Sequence, residues 1–115
     1  MHVAVQGTTD FSNYDVFMRS MGVALSYFEG NEFNVYSLGP KKVNQFTAEF
    51  CNLSENGLKA RGIGINFFNV SPSFFVENVS LFDYFIFLSN PDHRWASKLA
   101  NFAESSGVPM DIFRY

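Results

Sequence analysis

Residues 4–17, AVQGTTDFSNYDVF, pass from one hydrophobic period to another across a small polar loop. Upstream, Val3, Ala4 and Val5 form an apolar run too short for a helix and ended by Gly7, which predicts a buried strand over residues 2–6. Downstream, Tyr14, Phe17, Met18, Met21, Leu25 and Phe28 recur at three-and-four spacing, the mark of one helical face, with Ser12 or Asn13 as cap and Gly30-Asn31 as stop. A strand giving way to an amphipathic helix is one β–α unit.

The same alternation continues along the chain. FNVYSLG, residues 33–39, predicts a second strand closed by Gly39-Pro40, and Val43, Phe46, Phe50 and Leu53 mark a second helix ending near Asn56-Gly57. KARGIGINFF, residues 59–68, predicts a third strand centred on Ile63 to Phe67. Residues 71–82 read as a short helix or an ordered loop, with Pro72 at the start and Phe74, Phe75, Val79 and Phe82 as anchors. DYFIFLSN, residues 83–90, is a fourth strand and the clearest buried one. Trp95, Leu99, Phe102 and Ala103 define a helix stopped by Gly107, and VPMDIF supplies a fifth strand. Near-continuous apolar strands alternating with helices predict α/β class, a doubly wound, mainly parallel five-stranded sheet with helices on both faces.

Composition bounds the rest. At 115 residues the chain makes one domain, 1–115, and its 47 % hydrophobic and 17 % charged content is globular. No apolar run approaches a membrane span and the first residues lack a secretory signal, so the expectation is a cytoplasmic protein without membrane contact. Net charge is −3 and the eight basic residues are scattered apart from Lys41-Lys42, which argues against nucleic acid as a partner. Cys51 is the one cysteine and only His2 and His93 accompany it, so neither a disulfide nor a metal site is expected. Fifteen phenylalanines exceed what a small core easily hides. Some are expected at the surface, which favours a homo-oligomer or a partner surface over a monomer.

In an open parallel sheet, ligands bind outside the carboxyl ends of the strands. That rule selects Gly7, Thr8, Thr9 and Asp10; Gly39, Lys41 and Lys42; Asn69; and Ser89, Asn90, Arg94 and Trp95. Glycine admits close approach of a ligand to backbone, threonine hydroxyls suit ribose or phosphate, lysines at a helix start suit phosphate, and arginine beside tryptophan suits a base. Each also has a plainer reading: the Gly7 loop as a strand–helix turn, the lysines as solvated surface, Trp95 as core. His93 reads as a polar loop residue, and no Walker loop, G-x-G-x-x-G, nucleophile elbow or carboxylate pair is present. A binding site is better supported than a catalytic one, and no cofactor is expected beyond a bound nucleotide-derived ligand.

QGTTDFSNYDVF, LGPKKVNQFTAEFC and RWASKLANFAESSGVPMDIF together resemble the SLOG superfamily of small Rossmann-like nucleotide-sensing proteins. Gly7, Thr8, Thr9, Asp10 and Phe11 occupy the family's Gly-Ser/Thr-Arg-Asp-Phe pattern, with Thr9 where arginine is frequent, and Asn44 stands where an aspartate is common. The family's Pro-Gly-Gly-x-Gly-Thr loop is replaced by residues 90–95, which sets aside base-releasing hydrolysis. Size and aromatic content also look like a bacteriophage protein. The resemblance implies a non-enzymatic binder that sequesters an ADP-ribose-like or cyclic-nucleotide signal from host antiviral defence. A second expectation, of a different class, is a modulator docking on a host protein such as valyl-tRNA synthetase through Phe67, Phe68, Phe74 and Phe75. A nucleotide hydrolase ranks last.

Overall fold

A computed structural model describes residues 1–90 and 98–115. Five strands, β1 (His2–Gly7), β2 (Glu32–Ser37), β3 (Gly64–Asn69), β4 (Tyr84–Ser89) and β5 (Met110–Arg114), alternate with helices α1 (Tyr14–Ser26), α2 (Lys41–Lys59), α3 (Pro72–Glu77) and α4 (Lys98–Ser105). A 3-10 turn over Val79–Leu81 leads from α3 into β4. All strand pairs are parallel, in the order β3-β2-β1-β4-β5. This is a small Rossmann-like doubly wound domain. Among the described residues no helix is long and apolar enough to cross a membrane.

The central strands β1 and β4 have side chains buried on both faces, which is why their sequences are continuously apolar. Val3, Val5, Val35, Ile86 and Leu88 face α1 and α2, where Phe17, Met21, Phe46 and Phe50 complete one core. Ala4, Tyr36, Phe85 and Phe87 face the other side and meet Phe75, Leu99 and Ala103 from α3 and α4. Two cores need more large side chains than one. Of the fifteen phenylalanines nine are buried in these cores, five are half-buried and Phe68 is exposed, so some reach the surface as expected but they are a minority.

Asn13 caps α1, its Oδ1 accepting the Val16 N–H at 3.0 Å, and Asp15 in the first turn favours the positive helix end. The buried stripe of α1 is Val16, Phe17, Ser20, Met21 and Ala24, with Tyr14 and Met18 left at its exposed margin. Small Ser20 and Ala24 let the helix lie close to the sheet, and counting only large residues rotates the predicted face. Leu53, expected inside, is 68 % exposed, because three residues beyond Phe50 roll it off the stripe running through Val43, Phe46, Thr47, Phe50, Cys51 and Leu58. α2 also runs past Asn56-Gly57: Leu58 anchors a further turn, and the chain leaves at Gly62, φ +78°, where the Ile63 N–H returns to the Leu58 carbonyl at 2.9 Å. β3 therefore begins at Gly64 rather than near residue 59. Residues 71–82 are the helix α3 followed by the 3-10 turn, with Ser71 as cap and Pro72 opening the helix. Cys51 is buried and its thiol pKa is pushed up to about 12 by desolvation, as befits a core residue.

Candidate functional site

The strand order places the topological switch between β1 and β4: the chain leaves β1 for α1 on one face of the sheet and leaves β4 toward α4 on the other. Their carboxyl ends carry the Gly7–Asp10 loop and Ser89-Asn90. The Thr8 N–H donates to the Leu88 carbonyl at 2.9 Å, extending the β1–β4 ladder one step into the loop, and the Phe11 N–H closes the turn on the Thr8 carbonyl at 3.0 Å. Phe11 is 2 % exposed and pins the loop to the core, its ring edge-on to Phe46 and to Tyr115.

Asp10 is the hub of this loop. Asn90 Nδ2 donates to its Oδ2 at 2.8 Å, and Tyr115 Oη and Thr8 Oγ1 donate to its Oδ1 at 2.8 and 3.1 Å. Thr8 and Tyr115 share a further short hydroxyl–hydroxyl contact. Three donors on an exposed carboxylate favour its charged form, and the amide of Asn90 contributes most, so the Asp10 pKa falls from 3.8 to about 2. Burial raises the Tyr115 phenol, reinforced by Asp10 and opposed by the Thr8 hydroxyl. A depressed carboxylate stabilises the fold above its unfolded pKa, and that contribution is lost as pH falls from about 4 through about 2. The expected result is an Asp10 carboxyl carbon whose NMR titration midpoint lies near 2 and moves up toward 3.8 in Asn90→Ala. A midpoint already near 3.8 in the unsubstituted protein contradicts the network.

Gly7 and Gly39 sit side by side, the Gly7 N–H donating to the Gly39 carbonyl at 3.0 Å. A Cβ at Gly7 would lie 2.8 Å from Val43 Cγ2 and 3.2 Å from Phe11 Cβ. The space a side chain at Gly7 would need is thus filled by Val43 of α2 and by Phe11, and glycine permits this close strand–helix packing. Gly39 has φ +91° and turns the chain into Pro40 and α2. Lys41 and Lys42 stand exposed in the first turn of α2, with Lys42 Nζ 5.3 Å from the centre of the Phe46 ring. Pro40 makes no side-chain capping bond, leaving the helix start without a side-chain acceptor there. Asn44, one turn in, instead accepts from the Ser37 hydroxyl.

Of the sequence-predicted residues, Thr8, Asp10 and Asn90 come together in one network, and Ser89 adjoins it, its carbonyl accepting the Tyr115 N–H at 3.3 Å. Thr9 is exposed on the loop, and Asn69 is exposed at the end of edge strand β3, two strands away from β1. Arg94 and Trp95, with His93, lie outside the described residues. Tyr115 was not among the candidates. The signal for it is register: β5 pairs Ser89 with Arg114, so the next residue emerges beside the β4 loop.

The surface expected of Phe67, Phe68, Phe74 and Phe75 does not form as one patch. Phe75 is fully buried, Phe74 and Phe67 are half-buried, and Phe68 lies stacked on Tyr36 with ring centres 4.7 Å apart. A separate cavity of about 540 Å³ opens at the opposite, amino end of the strands, lined by Tyr27, Asp83, Tyr84 and Asp111 among others. There the Tyr84 hydroxyl donates to Asp111 at 2.5 Å, and burial together with that carboxylate pushes its pKa up. No family model, curated protein or solved structure matches the chain.

Proposed function

We propose that the protein binds a nucleotide-derived small molecule of the ADP-ribose type across the carboxyl ends of β1, β2 and β4, and holds it without turnover. The observation that carries this reading is the ionised Asp10 fixed at the topological switch by Asn90, Tyr115 and Thr8. A fixed carboxylate recognises donors such as ribose hydroxyls or an exocyclic amine. Phosphate suits the neighbouring start of α2, where Lys41, Lys42 and amides without a side-chain cap supply positive potential. The lysine pair keeps the phosphate role expected from the sequence, and of the two groups expected at the threonine loop, ribose or phosphate, this reading keeps ribose.

With its pKa near 2, Asp10 is too weak a base to accept protons efficiently near neutral pH, which supports capture over hydrolysis at this group. Extended by the resemblance to nucleotide-sensing domains, capture of this kind would withdraw a signal from a host defence system.

Calorimetric titration with ADP-ribose tests the reading. Lys41→Ala combined with Lys42→Ala, and Asp10→Ala separately, are each expected to weaken binding by on the order of tenfold to a hundredfold, the worth of a charge-assisted hydrogen bond. Mass spectrometry of the released ligand should return ADP-ribose intact. Heat unchanged by the lysine substitutions removes the phosphate assignment, absence of any binding removes the ligand class, and recovery of AMP and ribose 5-phosphate replaces capture with hydrolysis.

A further inference from the structure

The sheet has two edges and they differ in chemistry. β5 carries Asp111 and Arg114, and charged side chains on an edge discourage strand-to-strand association. β3 reads GINFFN, with no charge and no proline. At its two ends the Gly64 N–H donates to the Asn31 carbonyl at 2.8 Å and the Val70 N–H to the Ser37 carbonyl at 3.1 Å. In a parallel ladder the even-numbered residues therefore turn their backbone groups toward β2, and Ile65, Phe67 and Asn69 turn theirs outward. Ile63 does not extend this row, since its N–H is taken by Leu58.

We propose that the β3 edge joins two copies of the chain, antiparallel about a two-fold axis at Phe67, into one continuous sheet. In this register Phe67 of each copy faces Phe67 of the other, Ile65 faces Asn69, and every outward N–H and C=O of the three residues finds a partner. Such a contact is isologous and closes at a dimer. On the α2 side, Ile65 and Phe67 border a groove of about 340 Å³ lined by Ala48, Cys51 and Asn52, and the two Phe67 rings meet over it.

Backbone geometry selects the antiparallel arrangement. A parallel ladder sets a residue that turns its backbone groups toward the seam opposite one that turns them away, which an in-register pairing of two identical edges cannot do. Glu32, Glu55 and Lys59 border the Gly64–Asn66 end of the edge, where Glu32 accepts from Asn66 Nδ2 at 2.6 Å. Antiparallel pairing sets this charged end against the uncharged Phe68-Asn69-Val70 end of the other copy and keeps the two Glu32 carboxylates at opposite ends of the seam.

Sedimentation equilibrium across micromolar to millimolar concentration is expected to give twice the chain mass. Asn69→Pro removes an outward donor while sparing the inner ladder, and Phe67→Lys puts two ammonium groups at the axis; both are expected to sediment as single chains with unchanged circular dichroism. Ile112→Lys, the same kind of change on exposed β5, is expected to stay dimeric. Register is read by cysteines in a Cys51→Ala background. Residues at the axis have Cα atoms about 5.5 Å apart, within disulfide range, so Phe67→Cys cross-links between copies and Asn69→Cys does not. A single-chain mass for the unsubstituted protein throughout, a dimer broken by Ile112→Lys and not by Asn69→Pro, or equal cross-linking at both cysteines overturns the proposal.

Discussion

Phe75→Ala is expected to cost about 3–5 kcal/mol, the range for deleting a buried phenylalanine ring. Its side chain is 0 % exposed and packs against Phe82, Phe85 and Phe102 at ring-centre distances of 4.8, 5.2 and 6.2 Å. No other large side chain of α3 is fully buried, so the neighbours have little with which to refill the space. A domain of this size has roughly 6–17 kcal/mol in hand, so a large share of its stability goes, and the melting temperature falls by about 12–20 °C. Phe68→Ala, whose ring is 40 % exposed and stacked on Tyr36, is expected to cost no more than about 1.5 kcal/mol. Urea denaturation of the two variants decides the matter. Similar small losses would mean that Phe75 belongs to an open aromatic surface, as expected of a docking face, and that α3 is loosely held.

Phe75 also shows what the sequence made legible and what it did not. The change of period around Gly7 was enough to read β1 and α1, and the apolar run before Ser89 was enough to read β4, because strands buried on two faces have no alternation to disguise them. Parallel pairing followed from the repeated unit. The faces of the helices were less legible: hydrophobicity marks Leu53 and Met18 as inward, whereas contact with a sheet selects Ser20, Ala24 and Thr47 for their size. Counting phenylalanines against a single core overstates the surface share for a related reason. A sheet covered on both sides has two cores, which take up nine of the fifteen, while Phe68 is exposed and five are half-buried.

At the site, the sequence identified the loops but not the bonds between them. Thr8, Asp10 and Asn90 were legible because strand ends in an open parallel sheet are polar only where something other than core is needed. That they form one network depends on strand order, which places β4 rather than β2 on the far side of the switch, and on register, which delivers Tyr115 beside Asn90. Neither quantity has a local sequence signature. The state of Asp10 has no local signature either: the amide of Asn90, the Tyr115 phenol and the Thr8 hydroxyl that hold its carboxylate ionised come from three separate parts of the chain.

Gly7→Ala separates the two meanings given to that glycine. If Gly7 exists to let a ligand approach backbone, alanine weakens binding and leaves folding alone, and in a strand it even returns about 0.5–1 kcal/mol of backbone entropy. The structure leads to the opposite expectation. The added methyl would meet Val43 Cγ2 at 2.8 Å and Phe11 Cβ at 3.2 Å, and Val43 is fully buried with a branched side chain that has few alternative rotamers. Overpacking of this kind costs about 1–3 kcal/mol, which outweighs the entropic return. The loss should be partly relieved when Val43→Ala removes the opposing methyl groups: the double variant is then less destabilised than the sum of the singles by about 0.5–3 kcal/mol, while an independent pair would add. Denaturant midpoints for the four proteins of this cycle measure that coupling directly. Strict additivity would place the strain elsewhere and return Gly7 to the ligand, whereas positive coupling makes it the residue that seats α2 on β1, and so fixes the distance between the lysine pair and the Asp10 loop.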